Sequence, residues 1–344
     1  MLCAGTVLVD VTKRVDRFAR PDRLALIDRV TLSTGGPALN LAADLARLGG
    51  GYPLGIAGMI GDDAHGAFLT EQLHRLGVDT SRLRVTDAAS TSFTDAMVLR
   101  ENGSRAFYHH VGANALFTPD DVGIADSTAR IMHLGAPGLQ PGLDADGGAG
   151  WVDLLARARA AGMHTNLELV SIDPETLRSV AGPALPHLDS LIVNEIEASA
   201  LAGVRLEPMG PDDADWGAIE RAAHDLFRRG VRRLVAVHCP AGAVAVTADG
   251  RVHRQGSVRL PAELQVNATG AGDAFAAGVI HGLHEGWDAA AGLRAGVCVA
   301  AACLTGVGTN DGIPPLADCL ALAEQYGFRA VGSAGGPGSA RLEP

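Results

Sequence analysis

The feature that most constrains the fold is an alternation of short apolar segments and helical segments in the middle of the chain. Residues 130–134, 163–168 and 189–193 have the composition of buried strands, and residues 149–161 and 174–181 between them have helical spacing. Strands that alternate with helices in this way build β-α-β units around a parallel sheet. The sequence therefore predicts an α/β fold with a doubly wound, mostly parallel sheet flanked by helices.

The chain opens with another segment of the buried-strand type, residues 2–9, which ends at Asp10. Ligands of open α/β sheets bind outside the carboxyl ends of the strands. A carboxylate at the end of a central strand is therefore a candidate ligand-binding group. The alternative is that Asp10 only caps the strand or forms a turn.

Two segments interrupt the alternation. Residues 11–33 are more charged and are broken by Pro21, and residues 90–110 contain two extended runs around Asn102-Gly103. Asn-Gly between two extended runs is a strong signal for a β-hairpin. We expect the two excursions to form one small β-sheet that acts as a lid on the main sheet.

A helical pattern follows Gly35 and Gly36 and stops at three consecutive glycines, Gly49 to Gly51. The Gly35-Gly36 pair allows the backbone to approach a ligand closely. Asn40 lies in the first turns of this helix, where its amide can both donate and accept hydrogen bonds from a polyol. The alternative is that Asn40 bonds nearby backbone.

Asn194 and Glu197 begin the helix that follows the strand at 189–193. Residues three apart share a helix face, so this amide and this carboxylate lie together, whereas Glu195 is expected to point to solvent or to a cap. Such a pair suits a hydrated magnesium ion, which is held through few protein oxygens and keeps several waters. The alternative is an ordinary helix start enriched in acids.

The run Gly270-Ala271-Gly272-Asp273 sits where residues 258–266, which have an extended pattern, give way to a helix. Free amides and the helix dipole make such a start an anion site. An aspartate is oddly placed there if anion binding is the only task. It makes sense as a general base beside an anion hole for a transferring phosphoryl group. The alternative is a glycine-rich turn in which Asp273 only complements the dipole.

Composition excludes several classes of function. The chain has 344 residues and a net charge of −11, which argues against a nucleic-acid groove or an anionic membrane surface as partner. No apolar run has the length of a membrane span, and no signal peptide is evident. The five cysteines show no metal spacing and fit a reducing cytoplasm. We expect one domain over residues 1–330 and a loose Gly-, Ser- and Pro-rich tail over 331–344.

Several motifs occur together in one order along the chain. They are the strand ending in Asp10, Gly35-Gly36-x-x-x-Asn40, Gly61-x-Asp63-x-x-Gly66, Asn194-x-x-Glu197 and Thr269-Gly270-Ala271-Gly272-Asp273. In this combination the chain resembles the ribokinase, or PfkB-type, carbohydrate kinases over roughly residues 1–326. The resemblance implies a ribokinase-like fold with a small β-sheet lid, and ATP-dependent phosphorylation of a hydroxyl group with Mg²⁺.

The resemblance also implies roles for individual residues. Asp273 is similar to the catalytic base of the family, and Gly270, Ala271 and Gly272 to its anion hole. The implied acceptor contacts are Asp10, Gly35, Gly36, Asn40 and Asn114. The implied nucleotide contacts are Asn194, Thr269, Gly242 and Asn310, with Asn194 and Glu197 holding Mg²⁺ through water. The family likeness further suggests a homodimer formed through the lid.

The chain departs from the family pattern at two places. Asn267 stands where many members have an aspartate that helps to hold a monovalent cation such as K⁺. An amide oxygen can coordinate such a cation but brings no charge. Around Gly242, the chain has Val237 and Cys239 where the usual Thr-x-Gly-x-x-Gly nucleotide loop has Thr and Gly.

The leading function is phosphorylation of a small sugar or sugar-like substrate. The run from Asn267 to Asp273 is similar to some pseudouridine kinases, so an adenosine- or pseudouridine-type nucleoside is the alternative acceptor. A non-catalytic ligand-binding relative has no need of Asp273. A nicotinamide-dependent dehydrogenase should carry Gly-x-Gly-x-x-Gly after its first strand, and the stretch from Gly5 to Asp10 lacks it.

Overall fold

The strands form two separate sheets. The computed structural model describes residues 1–306, 308 and 311–332. Its strands are β1 (Leu2–Gly5), β2 (Leu8–Val15), β3 (Ile27–Gly35), β4 (Gly55–Gly61), β5 (Asp79–Thr86), β6 (Phe93–Leu99), β7 (Arg105–His110), β8 (Ile131–Gly135), β9 (His164–Glu168), β10 (Ser190–Asn194), β11 (Leu234–Cys239), β12 (Gly242–Thr247) and β13 (Val252–Gly256). Asn310 and the predicted tail beyond residue 332 lie outside these residues.

Within the described residues, the large sheet has the strand order β13-β12-β11-β10-β9-β8-β1-β4-β5. All neighbours from β11 to β5 are parallel, and β12 and β13 add an antiparallel hairpin at one edge. This arrangement confirms the predicted mostly parallel sheet. The hairpin turns at Gly250, whose φ of 79° favours glycine.

Helices cover both faces of the large sheet. They are α1 (Pro37–Leu48), α2 (Ala64–Arg75), α3 (Pro141–Ala160, interrupted by non-helical backbone at 145–148), α4 (Pro174–Ala181), α5 (Glu195–Ala202), α6 (Trp216–Arg228), α7 (Ala271–Glu285), α8 (Ala289–Cys303) and α9 (Leu316–Tyr326). One apolar core joins the sheet to α3 through α6. The other joins it to α1, α2, α7, α8 and α9.

The chain leaves the large sheet much earlier than the sequence predicts. Residues 2–9 are not one strand, because β1 ends at Gly5 and the path turns there into the small sheet. Gly5 has a φ of 122°, and a Cβ atom at this position would lie 1.8 Å from the carbonyl oxygen of Gly135. Only glycine fits this backbone, so the break between the two sheets depends on it.

The small sheet has the strand order β3-β2-β6-β7. Strands β2 and β6 are parallel, and β3 and β7 run antiparallel to them at the two edges. The strands come from the two excursions that the sequence predicts, which confirms that both belong to one small sheet.

Two further segments differ from the prediction. Strand β5 has no counterpart in the sequence analysis, because it is an edge strand with a mainly polar composition. Residues 258–266 are not a strand: only Val258 makes a single β-bridge, and a short 3₁₀ turn forms at Ala262–Leu264 after Pro261. Among the described residues, no helix has the length and apolar character needed to cross a membrane.

Candidate active site

The glycine-rich run begins α7, as the sequence predicts. Gly270 is the residue before the helix and has a φ of 86°, which favours glycine. Asp273 lies in the first turn. The first-turn amides of a helix have no partner within the helix and carry the positive end of its dipole. This turn therefore combines an anion site with a carboxylate.

Asn40 holds the Asp273 carboxylate directly. Its Nδ2 atom donates to Oδ2 of Asp273 at 2.7 Å, which joins the first turns of α1 and α7. The Oδ1 atom of Asn40 is buried and has no hydrogen-bond partner among the described residues. The two residues are 233 positions apart in the sequence, and the structure brings them into contact and leaves Asn40 one acceptor for a ligand.

Glu168, the last residue of β9, lies against Asp273, and the sequence analysis missed it. The two carboxyl groups interact directly. Burial raises the pKa of Glu168 to about 7. Burial, and the carboxyl group of Glu168 beside it, raise the pKa of Asp273 well above its usual value. Glu168 ends the predicted strand at residues 163–168, so the sequence pattern that makes Asp10 a candidate applies equally to Glu168.

The hydrogen bonds of His133 indicate that Glu168 is protonated. Asn166 donates from Nδ2 to the carbonyl of Ser190 at 3.2 Å, so its Oδ1 must accept from Nδ1 of His133 at 2.8 Å. The Nε2 atom of neutral His133 is then an acceptor, and it lies 3.2 Å from Oε2 of Glu168. Neither atom has another partner among the described residues. Burial lowers the pKa of His133 to about 4. The shared proton therefore belongs to Glu168.

Asp10 belongs to a different sheet from the one predicted. It does not end a strand of the large sheet but is the third residue of β2, opposite Ser33 of β3 and Thr94 of β6. Burial and the nearby charge of Asp273 raise the pKa of Asp10 to about 7. The prediction that Asp10 ends a central strand is wrong, because the chain has already turned at Gly5.

Gly35 and Gly36 make room for the groups around them. A Cβ atom on Gly35 would lie 2.5 Å from Oδ2 of Asp10. Gly36 has a φ of 88°, and its Cβ atom would lie 2.4 Å from the carbonyl oxygen of Thr6. The pair therefore allows close packing of Asp10 and of the start of α1.

Asn114 is not placed to contact a ligand. It is fully buried, its Nδ2 atom donates to the carbonyl of Val7 at 3.1 Å, and its Oδ1 atom accepts from the amide of Val7 at 3.4 Å. Both groups of the side chain are used by the backbone of Val7. The expectation that Asn114 contacts the acceptor is therefore corrected: it secures the link between β1 and β2.

Asn194 and Glu197 cap the start of α5. Oδ1 of Asn194 accepts from the amide of Glu197 at 2.8 Å, and the amide of Asn194 donates to Oε2 of Glu197 at 3.1 Å. Ser171 Oγ donates to Oε1 of Glu197 at 3.2 Å. Burial raises the pKa of Glu197 to about 7. Of the two alternatives given for Glu195, the structure excludes solvent, since only 7% of its surface is exposed, and leaves the cap.

Arg105 ties the small sheet to the turn that precedes α7. Its guanidinium donates to Oδ1 of Asn267 at 2.8 Å and also to the hydroxyl of Thr269. The same oxygen of Asn267 accepts from the amide of Thr269 at 3.0 Å. A guanidinium on that oxygen competes with a monovalent cation at the same place, which agrees with the doubt that Asn267 already raises about a K⁺ contact.

The remaining residues that are predicted to contact the nucleotide include Gly242 and Asn310. Gly242 begins β12, and a Cβ atom there would lie 2.1 Å from the carbonyl oxygen of Gln255, so packing between strands explains this glycine. Asn310 lies outside the described residues. Within the described part of the chain, no group of three or more His, Cys, Asp or Glu side chains is arranged to hold a metal ion.

A cavity of about 400 Å³ lies between the small sheet and the turn before α7. Asp10 and Arg29 belong to its small-sheet wall, and Asn267, Thr269 and Asp311 line the opposite side. Its size is that of a site for a small molecule. Asp273 does not itself line this cavity, but Asp10, whose pKa responds to the charge of Asp273, does.

Comparison with known proteins identifies the family. The profile of the pfkB family carbohydrate kinases matches residues 1–316. An ATP-dependent ribose-1-phosphate kinase of Halopiger xanaduensis is 32% identical over 81% of this chain and 83% of its own length. A 5-dehydro-2-deoxygluconokinase of Shouchella clausii is 28% identical over 86% and 87%. A 1-phosphofructokinase of Xanthomonas campestris is 28% identical over 79% and 80%.

Solved structures support the fold. The ribokinase of Arabidopsis thaliana superposes with a TM-score of 0.77 at 23% identity, over 93% of this chain and 97% of that one. A ribokinase of Thermotoga maritima gives 0.76 at 21% identity, over 94% and 98%. The fold is therefore ribokinase-like. Because the family profile extends over nearly all of the described residues, the chain belongs to the pfkB family of carbohydrate kinases, phosphotransferases whose acceptor is a hydroxyl group.

Proposed function

We propose that this carbohydrate kinase transfers the γ-phosphoryl group of ATP to a hydroxyl group of a small sugar. The observation that carries the proposal is the Asp273 carboxylate, held by Asn40 in the first turn of α7. One short segment then supplies both a proton acceptor and free amides for a phosphoryl group. The names of the similar proteins, which are kinases of sugar compounds, support the same activity.

In the proposed reaction, Asp273 takes the proton of the acceptor hydroxyl while the hydroxyl oxygen forms a bond to the γ-phosphorus. The bond between that phosphorus and the β,γ-bridging oxygen breaks, and ADP leaves. The proton of Glu168 is directed to His133, so its other oxygen can accept a hydrogen bond from the proton that Asp273 has gained. The first-turn amides of α7 stabilise the charge of the transferring group.

Asn194 and Glu197 would hold magnesium through water. Each of their oxygens in the capping box accepts a hydrogen bond and keeps a further lone pair, which fits a hydrated ion better than direct ligation. A divalent ion supplies positive charge to the phosphate oxygens of the nucleotide. The cysteines, all described and none in a disulfide, support the cytoplasmic location.

Asp10 and the unbonded Oδ1 atom of Asn40 are the proposed acceptor contacts, since both lie beside Asp273. A nucleoside is the second candidate acceptor. Phe107, an exposed aromatic side chain on the wall of the cavity, offers a face on which a base could stack. A panel of sugars, sugar phosphates and nucleosides, assayed for ATP consumption with Mg²⁺, separates these candidates.

Replacement of the base tests the activity itself. Asp273→Asn keeps the shape of the side chain and its contact with Asn40 but removes the proton acceptor. We expect kcat to fall by about 10²–10⁴, the usual contribution of a general base. The dissociation constant of ATP should stay within about twofold of the wild-type value. Turnover close to wild type in this variant would rule out Asp273 as the base.

A further inference from the structure

The face of the small sheet that lines the cavity is ordered by strand register into three rows of side chains. The first row, nearest Asp273, is Ser33, Asp10, Thr94 and His109; the second is Thr31, Thr12, Ala96 and Phe107; the third is Arg29, Arg14, Val98 and Arg105. The chemistry of the face therefore changes along the strands, from a carboxylate beside the base to a row with three arginines. We call this third row the arginine row.

The arginine row brings like charges together. Arg14 and Arg29 stand directly opposite each other on neighbouring strands, and like charges in that position are destabilising. Asp28 pairs with Arg14 at 2.7 Å and is shared with Arg100 at 3.4 Å. Among the described residues, Arg29 has no ion pair. The chain has a net charge of −11, yet the small-sheet wall of its cavity carries an excess of positive charge.

We propose that the arginine row binds a phosphate group already present on the acceptor, so that the substrate is a phosphorylated sugar. The inference rests on the proposed kinase function and names the class of acceptor. Arg14 lies four positions after Asp10 along β2, which places their Cα atoms roughly 13 Å apart. Arginine side chains can reach back over part of that distance. A sugar ring fits between the two rows, with its free hydroxyl at Asp273 and its phosphate at the arginines.

The chemistry of the row favours a phosphate over a neutral group. A guanidinium presents a planar fork of N–H donors that matches phosphate oxygens, and such charge-assisted hydrogen bonds are among the strongest in proteins. A phosphate between Arg14 and Arg29 would also remove their mutual repulsion. A neutral sugar would leave both charges facing each other across the sheet.

The first test compares matched acceptors. Initial rates are measured with neutral pentoses and hexoses and with their monophosphates. We expect kcat/KM to be at least a hundredfold higher for a monophosphate than for its parent sugar. Arg29→Gln should raise the KM for that monophosphate about tenfold to a hundredfold and leave the KM for ATP unchanged. Arg23→Gln, which alters an exposed arginine outside the cavity, is the matched control and should change neither. Arg105 is unsuitable, because it also bonds to Thr269.

Two results would overturn the proposal. One is equal kcat/KM for neutral and phosphorylated acceptors, and the other is an effect of Arg29→Gln on the KM for ATP alone. If no acceptor in the panel is phosphorylated, the kinase proposal fails, but the arginine row can still be judged by thermal shift with inorganic phosphate. Phosphate should then raise the melting temperature of the wild type and of Arg23→Gln more than that of Arg29→Gln. An equal rise in all three proteins would exclude the row as an anion site.

Discussion

At the scale of single residues, the basicity of Asp273 depends on a buried neighbour that no motif contains. Glu168 presents an oxygen without a proton to Asp273, because its own proton is directed to His133. Such an oxygen stabilises the protonated form of Asp273 and so strengthens it as a base. The groups that face Asp273 from the surrounding elements are Asp10 of β2, Asn40 and Asp44 of α1, His133 of β8, Glu168 of β9 and Glu197 of α5.

This arrangement predicts a shift of the pH profile. A kinase that needs ionised Asp273 loses activity as the pH falls through the pKa of that group. Glu168→Ala removes the oxygen that accepts from protonated Asp273, so the pKa of Asp273 should fall and the acidic limb of kcat/KM against pH should move to lower pH. His133→Phe should move it in the same direction, because the proton of Glu168 is then free to turn toward Asp273. The measurement is kcat/KM between pH 5 and pH 9.

His281→Phe provides the control for these variants. It replaces another buried histidine, one that bonds to Tyr52 and not to the carboxyl pair. Its acidic limb should match that of the wild type. A limb that moves to higher pH in Glu168→Ala, or stays in place in both test variants, would contradict the role given to Glu168.

At the scale of elements, most helices and parallel strands could be predicted, because their apolar pattern is local. The turn from β1 into β2 could not, since residues 2–9 are extended and apolar on both sides of Gly5. A continuous apolar run does not reveal that its two halves belong to different sheets. The contact between Asn40 and Asp273 could not be predicted from the sequence either, because it depends on the packing of α1 against α7.

The start of α5 allows a test that separates a metal contact from a cap. Glu197→Gln can still accept from the amide of Asn194, so the capping box should survive. Burial raises the pKa of Glu197 in the folded protein, so its ionisation lowers stability as the pH rises from the unfolded pKa to about 7. The variant should therefore be at least as stable as the wild type at pH 8. If Glu197 holds hydrated Mg²⁺, the half-saturating Mg²⁺ concentration should rise about tenfold or more.

At the scale of the whole molecule, the edge strand β3 and the segment before it expose an apolar strip. Leu24, Leu26, Ile27, Val30 and Leu32 are all exposed in the single chain. Several exposed apolar side chains close together in the chain are typical of an interaction surface. It supports the expectation of a homodimer formed through the small sheet.

Charge placed in this strip should prevent the association. Val30→Glu puts a carboxylate on a side chain that is 56% exposed. We expect light scattering after size-exclusion chromatography to report a dimer for the wild type and a monomer for this variant. Val85→Glu alters a side chain that is 62% exposed on the edge of the large sheet and should leave the dimer intact. A wild type that is monomeric at micromolar concentrations would exclude this interface.

The link between the two sheets is very short. Only Thr6 and Val7 separate β1 from β2, and Asn114 bonds to both backbone groups of Val7. A central strand of the large sheet therefore continues into the wall that carries Asp10 with no flexible hinge between them. A ligand that restrains β2 should therefore also reduce the local opening that exposes the backbone amides of β1 to solvent. Acceptor alone, without nucleotide, should slow the deuterium uptake of Leu2–Gly5 while leaving the uptake of the distant edge strand β13 unaltered.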